Sequence, residues 1–390
     1  DSGVSLRGSG NTAIGHSSMT ALNDVNSVRN TMIGFETMSQ CGSANPKDNT
    51  GLGYRALYNV NHNDGDNNTA IGSKALMDLT EGANNVAIGT ETLENLTTGD
   101  HNTCIGKKVL NSADGAESNN VAIGSSAMQN SNLDSTVSNV AIGVDAMVNT
   151  NTRTCAQNVH IGRSSGGGNW AGTARYNTAV GMESMYGDMN GAEYNSALGH
   201  SALRVITSGD SNVGLGNNAG DTITTGSNNV IIGYDADASA SGAAGQIAIG
   251  ASVTCTGDNT ITVGIGANTA SLALNGSATT WSAASSDERL KENIETSSAG
   301  LDVINDLRPV TYNWKKSKDV QKDLPQYKDS DKPVLGTKYG EQLHGFIAQE
   351  VKEVIDNHDE LEDGFKMWKL KDDGTQTVAD GTLIPILVKA

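Results

Sequence analysis

Residues 85–89 read Asn85-Val86-Ala87-Ile88-Gly89, one copy of a motif, N-[TSV]-x-[ILV]-G, that the chain repeats about fifteen times. Successive copies begin 17–19 residues apart, and the last follows after 13. Such a short, nearly constant period is typical of a solenoid, in which each coil stacks only on its neighbours. The unit is too short for a pair of helices, so it predicts a coil of strands and turns. The copies begin at Asn11, Asn30, Asn49, Asn68, Asn85, Asn102, Asn120, Asn139, Asn158, Asn177, Asn195, Asn212, Asn229, Gln246 and Asn259.

The positions of the motif have separate physical roles. The aliphatic residue, Ile88 in the copy quoted, is expected to stack inward, because alternation around it is typical of a strand. Gly89 is expected where the chain needs a positive φ or a close approach of two backbones. The asparagines can bond amide to amide between coils. A second inward apolar contact is predicted at a fixed offset from many of the glycines, at Met19, Met38, Leu57, Leu76, Leu93, Leu110, Met128, Met147, Met185 and Leu203.

The composition limits what the chain can bind and how it can fold. Its 390 residues carry a net charge of −18, which argues against nucleic acid and against an anionic membrane surface as partners. No apolar stretch approaches the length of a membrane-spanning helix, so no membrane insertion is expected. Aromatic residues make up only 4% of the chain, and coils so poor in large side chains bury little apolar surface each. Three chains that share an axis would bury much more, and we therefore expect a homotrimer.

The charge density changes near residue 285. Residues 1–284 hold 34 charged side chains, whereas residues 285–390 hold 36 in a much shorter segment. Four of the five prolines also lie in the second part. This shift predicts domains that fold by different principles: a repeat rod over residues 1–270, a linker over 271–285 and a small domain over 286–390.

Residues that could hold a metal ion or a cofactor form no convincing set. The four cysteines are scattered without a CxxC pair, so metal binding is not expected, and Cys104 is interpreted as a small apolar filler of its coil. His16, His160 and His200 lie at or beside the motif glycine, where a stacked surface position is expected. The acidic turn over residues 63–67 offers oxygen ligands for calcium but lacks the twelve-residue loop that ends in glutamate. We predict no metal and no cofactor.

The repeat resembles two known groups of proteins. The N-x-A-I-G unit is similar to the left-handed β-roll heads of trimeric autotransporter adhesins and to the repeats of phage tail-fibre proteins, over roughly residues 11–266. The resemblance implies a mainly β solenoid, a left-handed parallel β-roll or β-helix that is trimeric. It says little about a ligand, since similar coils can serve as spacers.

Four blocks stand out in the C-terminal part: SDERLKENI at 286–294, LRPVTYNWK at 307–315, GFIAQEV at 345–351 and LIPILVKA at 383–390. In this order over one domain they resemble the endosialidase-type intramolecular chaperone, a self-cleaving domain of phage tailspikes and fibres. The resemblance implies a small α+β domain. In that family the domain trimerises, holds three chains in register while the β-structure forms, and then releases itself by cutting near a serine.

The resemblance assigns the cutting to two residues. Ser286 matches the family's serine and Lys291 its lysine, so the implied activity is a single autoproteolytic event with no external substrate. A serine hydroxyl is a weak nucleophile until a base takes its proton, and a lysine can do this only when it is neutral. The scissile bond is expected beside Ser286, with Ser286–Asp287 favoured over Ser285–Ser286.

A structural alternative stays open for this segment: Ser286 caps a helix that contains Leu290 and Ile294, and Lys291 is a solvated charge. Elsewhere in the domain a helix is expected to begin at residues 348–351. Its Gln349 and Glu350 are either trimer contacts or plain surface, and residues 315–340 predict a solvated loop. Core positions are expected for Tyr312, Trp314, Phe346 and Trp368.

Together these features predict a structural and adhesive protein, a segment of a homotrimeric phage tail fibre or tailspike that attaches to a host. The predicted partners are two further copies of the chain and a receptor on the host cell surface, a glycan or an outer-surface protein. The predicted location is the virion, after synthesis in the host cytoplasm and with action outside the cell. Two alternatives stay open: a glycan depolymerase, which needs two positioned carboxylates, and a bacterial trimeric surface adhesin.

Overall fold

The computed structural model describes residues 8–22, 24–42, 44–132, 136–151, 153–274, 282–283, 292, 294–322, 324–334, 339–361, 367–371, 374–379 and 383–389. The chain divides into two compact units, residues 1–286 and 287–390. The finer bounds expected for the rod, the linker and the C-terminal domain stay a prediction.

The first unit is a β-solenoid of about 14 coils, as predicted. Each coil contributes one three-residue strand to a long sheet, and each of these strands pairs in parallel with the equivalent strand one coil away. A pair of two-residue strands, β9 and β11, forms a separate parallel ladder. The strands are β1 (Thr12–Ile14), β2 (Thr31–Ile33), β3 (Thr50–Leu52), β4 (Thr69–Ile71), β5 (Val86–Ile88), β6 (Thr103–Ile105), β7 (Val121–Ile123), β8 (Val140–Ile142), β9 (Cys155–Ala156), β10 (Val159–Ile161), β11 (Ala174–Arg175), β12 (Thr178–Val180), β13 (Ser196–Leu198), β14 (Val213–Leu215), β15 (Val230–Ile232) and β16 (Ile247–Ile249).

The sheet changes direction at its C-terminal end. β17 (Thr260–Ile265) still pairs in parallel with β16. The chain then reverses, so that β18 (Asn268–Ala273) is antiparallel to β17, and β19 (Ser282–Ala283) is antiparallel to β18. The last coil is therefore covered by an antiparallel hairpin.

The interior of the solenoid is lined by the middle residue of each strand. In β5 Ala87 is fully buried, whereas Val86 and Ile88 are only partly buried. The prediction that the aliphatic residue stacks inward is therefore wrong: Ile14 is 55% exposed and Leu198 is 53% exposed. The narrow coil has room for a small middle residue beside the second apolar contact, and those second contacts are all fully buried, as predicted.

A ladder of asparagines joins successive coils. The main-chain N–H and the side-chain Nδ2 of Asn49 donate to Asn30 Oδ1 at 3.1 and 3.3 Å, and Nδ2 also donates to the carbonyl of Gly65 at 2.8 Å. The main-chain step recurs at every coil from Asn30 to Gln246. The predicted amide ladder is confirmed, and its buried polar atoms have the partners that burial requires.

The motif glycine has both of the predicted features, a positive φ and a close approach to the backbone of the next coil. Gly72 has a φ of +137°, which side chains rarely adopt, and a Cβ there would lie 2.3 Å from the carbonyl oxygen of Gly89 in the next coil. Equivalent glycines make the same close approach along the sheet, so the coils can stack at this corner only without side chains.

Large and small residues of neighbouring coils also pack against each other inside the core. The middle residue of β2 is Met32, which is fully buried. The next coil has Gly51 at the equivalent position, and a Cβ there would lie 2.4 Å from Met32 Sδ. The methionine of one coil therefore fills the space that the glycine of the next leaves. Cys104 is also a fully buried middle residue, which confirms its role as a filler.

His160 departs from its expected place. It is the middle residue of β10 and is fully buried, so the expected surface position is wrong. Gly166 stands where neighbouring coils have methionine, and a Cβ there would lie 2.5 Å from His160 Nδ1. The ring packs 6.0 Å from Trp170 between centroids, and Nδ1 is 3.2 Å from Ser165 Oγ. Among the described residues Nε2 has no hydrogen-bond partner, and burial lowers the pKa of His160 to about 3.

The second unit is a small α+β fold, as predicted. Its described elements are α1 (Leu301–Asp306), β20 (Val310–Tyr312), a 3-10 turn (Ser317–Asp319), β21 (Leu343–Gly345), α2 (Ala348–Asp356), a second 3-10 turn (Asp359–Leu361), β22 (Trp368–Leu370), β23 (Gln376–Val378) and α3 (Ile384–Lys389). β20 pairs antiparallel with β21, and β22 with β23. The helix expected from residue 348 is α2. None of the helices in the described part of the chain has the length and apolar character that a bilayer crossing requires.

The core of the second unit consists of two adjoining clusters. Val303 of α1 packs with Leu361 and Ile386 in one cluster, and Val351 of α2 packs with Met367 in the other. Partly buried side chains of α1 and α2 pack against both clusters. The three short helices are therefore held by their packing, since isolated helices of this length are not stable in water.

Candidate processing site and assembly surface

The residues predicted to cut the chain, Ser286 and Lys291, lie outside the described residues, and so does Asp287. On the N-terminal side, β19 ends at Ala283, three residues before Ser286. On the C-terminal side, Ile294 is 61% exposed and lies outside any helix. Ile294 therefore contradicts the alternative in which it belongs to a helix capped by Ser286.

An ion pair joins two of the sequence blocks of the second unit. Arg308 follows α1, and Glu350 lies in the first turn of α2. Arg308 Nε donates to Glu350 Oε2 at 3.0 Å, and Nη2 contacts Oε1. Glu350, left open as a trimer contact or plain surface, thus has a partner in its own chain. Gln349 is exposed.

A second polar contact holds the end of α1. His358 Nε2 lies 2.9 Å from Asp306 Oδ2, and Nδ1 lies 3.0 Å from Glu360 Oε1. Hydrogen bonding to Asp306, and then to Glu360, raises the pKa of His358 above its ordinary value. The imidazolium form can donate to both carboxylates, so this contact is strongest when His358 is protonated.

The four aromatic side chains predicted for the core of this unit differ in how they pack. Phe346 and Trp368 pack against the core, as predicted, and Trp368 Nε1 donates to Gln376 Oε1 at 2.8 Å. All four side chains are half-buried, but Tyr312 and Trp314 are not among those that pack against the two core clusters, and their rings meet edge to face at 5.4 Å between centroids. The prediction of core positions holds for the first pair and is wrong for the second.

The loop predicted over residues 315–340 is organised by charges. Asp331 Oδ1 lies 2.9 Å from Lys316 Nζ and 2.7 Å from Lys318 Nζ. Hydrogen bonds from Lys318 and then Lys316 lower the pKa of Asp331 to about 2. A bridge between Lys316 and Pro333 closes the base of the loop.

The acidic turn over residues 63–67 serves the coil stacking. Asp66 Oδ1 accepts a hydrogen bond from the main-chain N–H of Lys47 in the preceding coil, at 2.7 Å. Across the described ranges, no group of three His, Cys, Asp or Glu side chains is placed to hold one metal ion.

The outward side of the solenoid sheet carries no charge over its whole length. We call this surface the strand face: the first and third residues of β1–β8, β10 and β12–β16. All 28 positions are Thr, Ser, Val, Ile or Leu, although 18% of the chain is charged. The third residue is always aliphatic, and Ile14, Leu52, Leu198, Leu215 and Ile249 are each at least 36% exposed.

The size of the strand face decides how it should be interpreted. Fourteen strands at about 4.8 Å spacing, each about 10 Å long, give a surface of roughly 650 Å². Apolar patches on monomeric proteins rarely exceed about 300–600 Å², and a stable interface needs about 800 Å² from each partner. The strand face is therefore larger than an ordinary apolar patch and approaches the area of a protein interface. The sequence did not predict this surface, because the aliphatic residues were expected in the interior.

A column of residues directly after the motif glycines flanks the strand face. At its start the rings of His16 and Phe35 stack at 5.0 Å between centroids, and those of Phe35 and Tyr54 at 5.8 Å. One residue further on, an ion pair joins two neighbouring coils, with Arg55 Nε and Glu36 Oε2 at 2.6 Å. At the start of this column the three rings therefore cover parts of one another's faces.

One comparison with known proteins gave a match in the C-terminal part of the chain. Residues 286–360 match the family model described as chaperone of endosialidase. A search of curated proteins and a search of solved structures each gave no match. The matched range begins at the predicted processing serine and ends within the second unit. A β-solenoid followed by a segment that matches the chaperone of endosialidase fits a tail fibre that carries an intramolecular chaperone domain.

Proposed function

We propose that this chain is a segment of a homotrimeric tail fibre or tailspike that attaches to a host cell. Its C-terminal unit directs trimer assembly and then cuts the chain beside Ser286. The observation that carries this proposal is the uncharged strand face along a solenoid that precedes a chaperone-like segment.

The strand face explains why such a chain would trimerise. Three copies can turn their strand faces toward a common axis and remove these aliphatic side chains from water, which is the dominant favourable contribution to most protein association. The faces are flat ladders of equal spacing, so a shift of one copy by a whole coil would still match most contacts. A separate element that sets the register is therefore needed, and a trimeric C-terminal unit supplies it.

The cut is a peptide hydrolysis carried out by the chain on itself. At the Ser285–Ser286 bond, neutral Lys291 takes the proton of the Ser286 hydroxyl, and Oγ attacks the carbonyl carbon of Ser285. The proton passes to the leaving nitrogen, and water then hydrolyses the ester, giving a free carboxylate and restoring the hydroxyl. Burial of Lys291 in the assembled trimer would lower its pKa, so that cutting follows assembly.

Host attachment is assigned to the turns of the solenoid. With the strand faces turned toward one another, the turns remain on the outside, where loops usually carry binding residues. The receptor is a glycan or a protein of the host surface. Pull-down of host cells by the purified rod, compared with cells stripped of surface glycan, tests this part.

The proposal is tested with the full chain, its Ser286→Ala variant and Ser285→Ala as the matched control. Light scattering is expected to show a trimer for all of them, of uncut chains for Ser286→Ala and of the shortened chains for the wild type and Ser285→Ala. Denaturing gels are expected to show loss of a fragment of about 105 residues from the wild type and from Ser285→Ala only. A monomeric wild type, or a Ser286→Ala chain that is still cut, contradicts the proposal.

A further inference from the structure

The antiparallel hairpin at the end of the solenoid extends the strand face. Ile261 and Val263 of β17 pair in register with Ile247 and Ile249 of β16, so they continue its two outward columns. Val263 is 38% exposed, whereas Thr262 between them is buried. Ile265 follows in the same alternation, and at 72% it is the most exposed large apolar side chain of the described residues.

The second strand of the hairpin widens this surface. Leu272 and Ala270 of β18 lie opposite Ile261 and Val263, and directly opposed residues share one face of a sheet. The other face of the hairpin holds the hydroxyl pair Thr262 and Ser271, whose oxygens lie 3.0 Å apart. Leu274, just after β18, is 47% exposed.

The strand face also changes in composition along the solenoid. In β1–β4 the first outward residue is always Thr, so each coil presents one hydroxyl and one aliphatic side chain. In β14–β16 both outward residues are aliphatic, as they also are in β5, β7, β8 and β10. Only the run in β14–β16 continues into a hairpin, so the broadest apolar surface of the solenoid lies at its C-terminal end.

This end is also the part of the solenoid nearest to the processing site in sequence. β19 pairs with β18 through Ser282 and Ala283. The predicted nucleophile, Ser286, follows three residues later. Any event that forms the three-stranded end of the sheet therefore fixes the chain directly before the cut.

We infer that the outer face of the β17–β18 hairpin, formed by Ile261, Val263, Ile265, Leu272 and Leu274, binds two further copies of this chain. It is the point from which the solenoid trimer assembles toward its N-terminal end. The inference rests on the proposed function and adds to it a starting point and a direction. The occupant is a second copy because the surface continues the strand face without a break, and the two together reach the area that a stable interface needs.

The experiment compares two double variants of the full chain. Val263→Asp with Ile265→Asp places charges on the hairpin, and Ile14→Asp with Leu52→Asp places them at the other end of the same face. The pairs are matched: their side chains are 38% and 72% exposed in the first and 55% and 44% in the second. Light scattering measures the trimer, denaturing gels measure cutting, and circular dichroism measures the β-structure.

The hairpin variant is expected to lose trimer by about tenfold or more at equal chain concentration and to stay uncut, because unpaired charges buried in an interface oppose association. The N-terminal variant is expected to lose much less trimer than the hairpin variant and still to be cut, with a lower thermal midpoint than the wild type. Equal losses in both variants, or normal assembly of the hairpin variant, would overturn the inference.

A third variant covers the case in which the aspartates unfold the hairpin. Val263→Thr with Ile265→Thr keeps β-branched side chains suited to a strand. It is expected to retain the wild-type dichroism and to be cut more slowly; cutting at the wild-type rate would contradict the inference. A wild type that is itself monomeric would instead refute the proposed function, so the two failures can be told apart.

Discussion

The guanidinium of Arg308 and the carboxylate of Glu350 meet side by side although 42 residues separate them in sequence. Arg308 follows α1 and Glu350 opens α2, so the pair fixes one element of the second unit against another. The pair also brings together the sequence blocks at 307–315 and 345–351.

Removing this pair is expected to weaken the second unit slightly. Both side chains are substantially exposed, and surface ion pairs contribute little. We expect Arg308→Ala and Glu350→Ala each to lower the thermal midpoint by about 1–3 °C, with the double variant no worse than either. Losses that simply add, or that do not shrink in high salt, would show that the pair is not coupled.

Substitution at the glycine corner is expected to be severe. Gly72→Ala introduces a Cβ against the carbonyl of Gly89 at a φ that alanine avoids. We expect a loss of about 2–4 kcal/mol in the free energy of unfolding. Gly257→Ala is the control, since a Cβ there would have no neighbour within 4 Å. Comparable losses for the two variants would refute the close-approach explanation.

The packing of Met32 against Gly51 predicts that substitutions at the two positions affect stability non-additively. Met32→Ala leaves a cavity and is expected to cost about 2–4 kcal/mol, whereas Gly51→Ala forces a Cβ into the methionine sulfur. In the double variant the new methyl group occupies part of the cavity. The summed single losses should therefore exceed the loss of the double variant by about 1 kcal/mol or more in chemical denaturation. Strict additivity would contradict this packing.

Burial of neutral His160 predicts that acid weakens the solenoid. Its pKa is about 3 in the folded chain, below the ordinary value of 6.5, so between these values the unfolded chain binds the extra proton. The stability is complete above about pH 6.5 and falls as the pH is lowered toward 3, by at most about 2 kcal/mol at pH 5. Unfolding of the wild type and of His160→Ala at pH 7.5 and 5 checks this. A pH effect of equal size in both would contradict it.

His358 predicts the opposite dependence in the second unit. Its pKa is raised in the folded chain by Asp306 and Glu360, so the contact stabilises fully below the unfolded value and is lost as the pH rises through the raised one. The difference in thermal midpoint between the wild type and His358→Gln is expected to be larger at pH 6 than at pH 9. A difference that grows toward pH 9 would show that the imidazolium is not the stabilising form.

The sequence pattern predicted the coil, the amide ladder and the glycine corner, because each recurs at a fixed position in every copy. It did not predict which side of the strand faces inward. Alternation by itself leaves two choices, and the larger apolar side chain of Ile88 favours the wrong one. The second contact, Leu93 in that coil, had already taken the available interior volume.

The position of His160 had a signal that was not used. Gly166 interrupts the series of methionines and leucines at the second contact. The space left by the missing side chain must be filled by a large residue nearby, and His160 fills it. The pairing of Arg308 with Glu350 had no such signal, since neither spacing nor composition relates residues in separate blocks. The roles of Ser286 and Lys291 came from resemblance alone, and they stay a prediction.

The asparagine ladder makes every coil an equivalent donor and acceptor for its neighbours. Gain or loss of one whole repeat by recombination would leave no buried amide without a partner, whereas a partial repeat would. The solenoid can therefore lengthen or shorten during evolution in steps of a single coil, about 4.8 Å each. Related proteins can differ in length by these steps without losing the ladder.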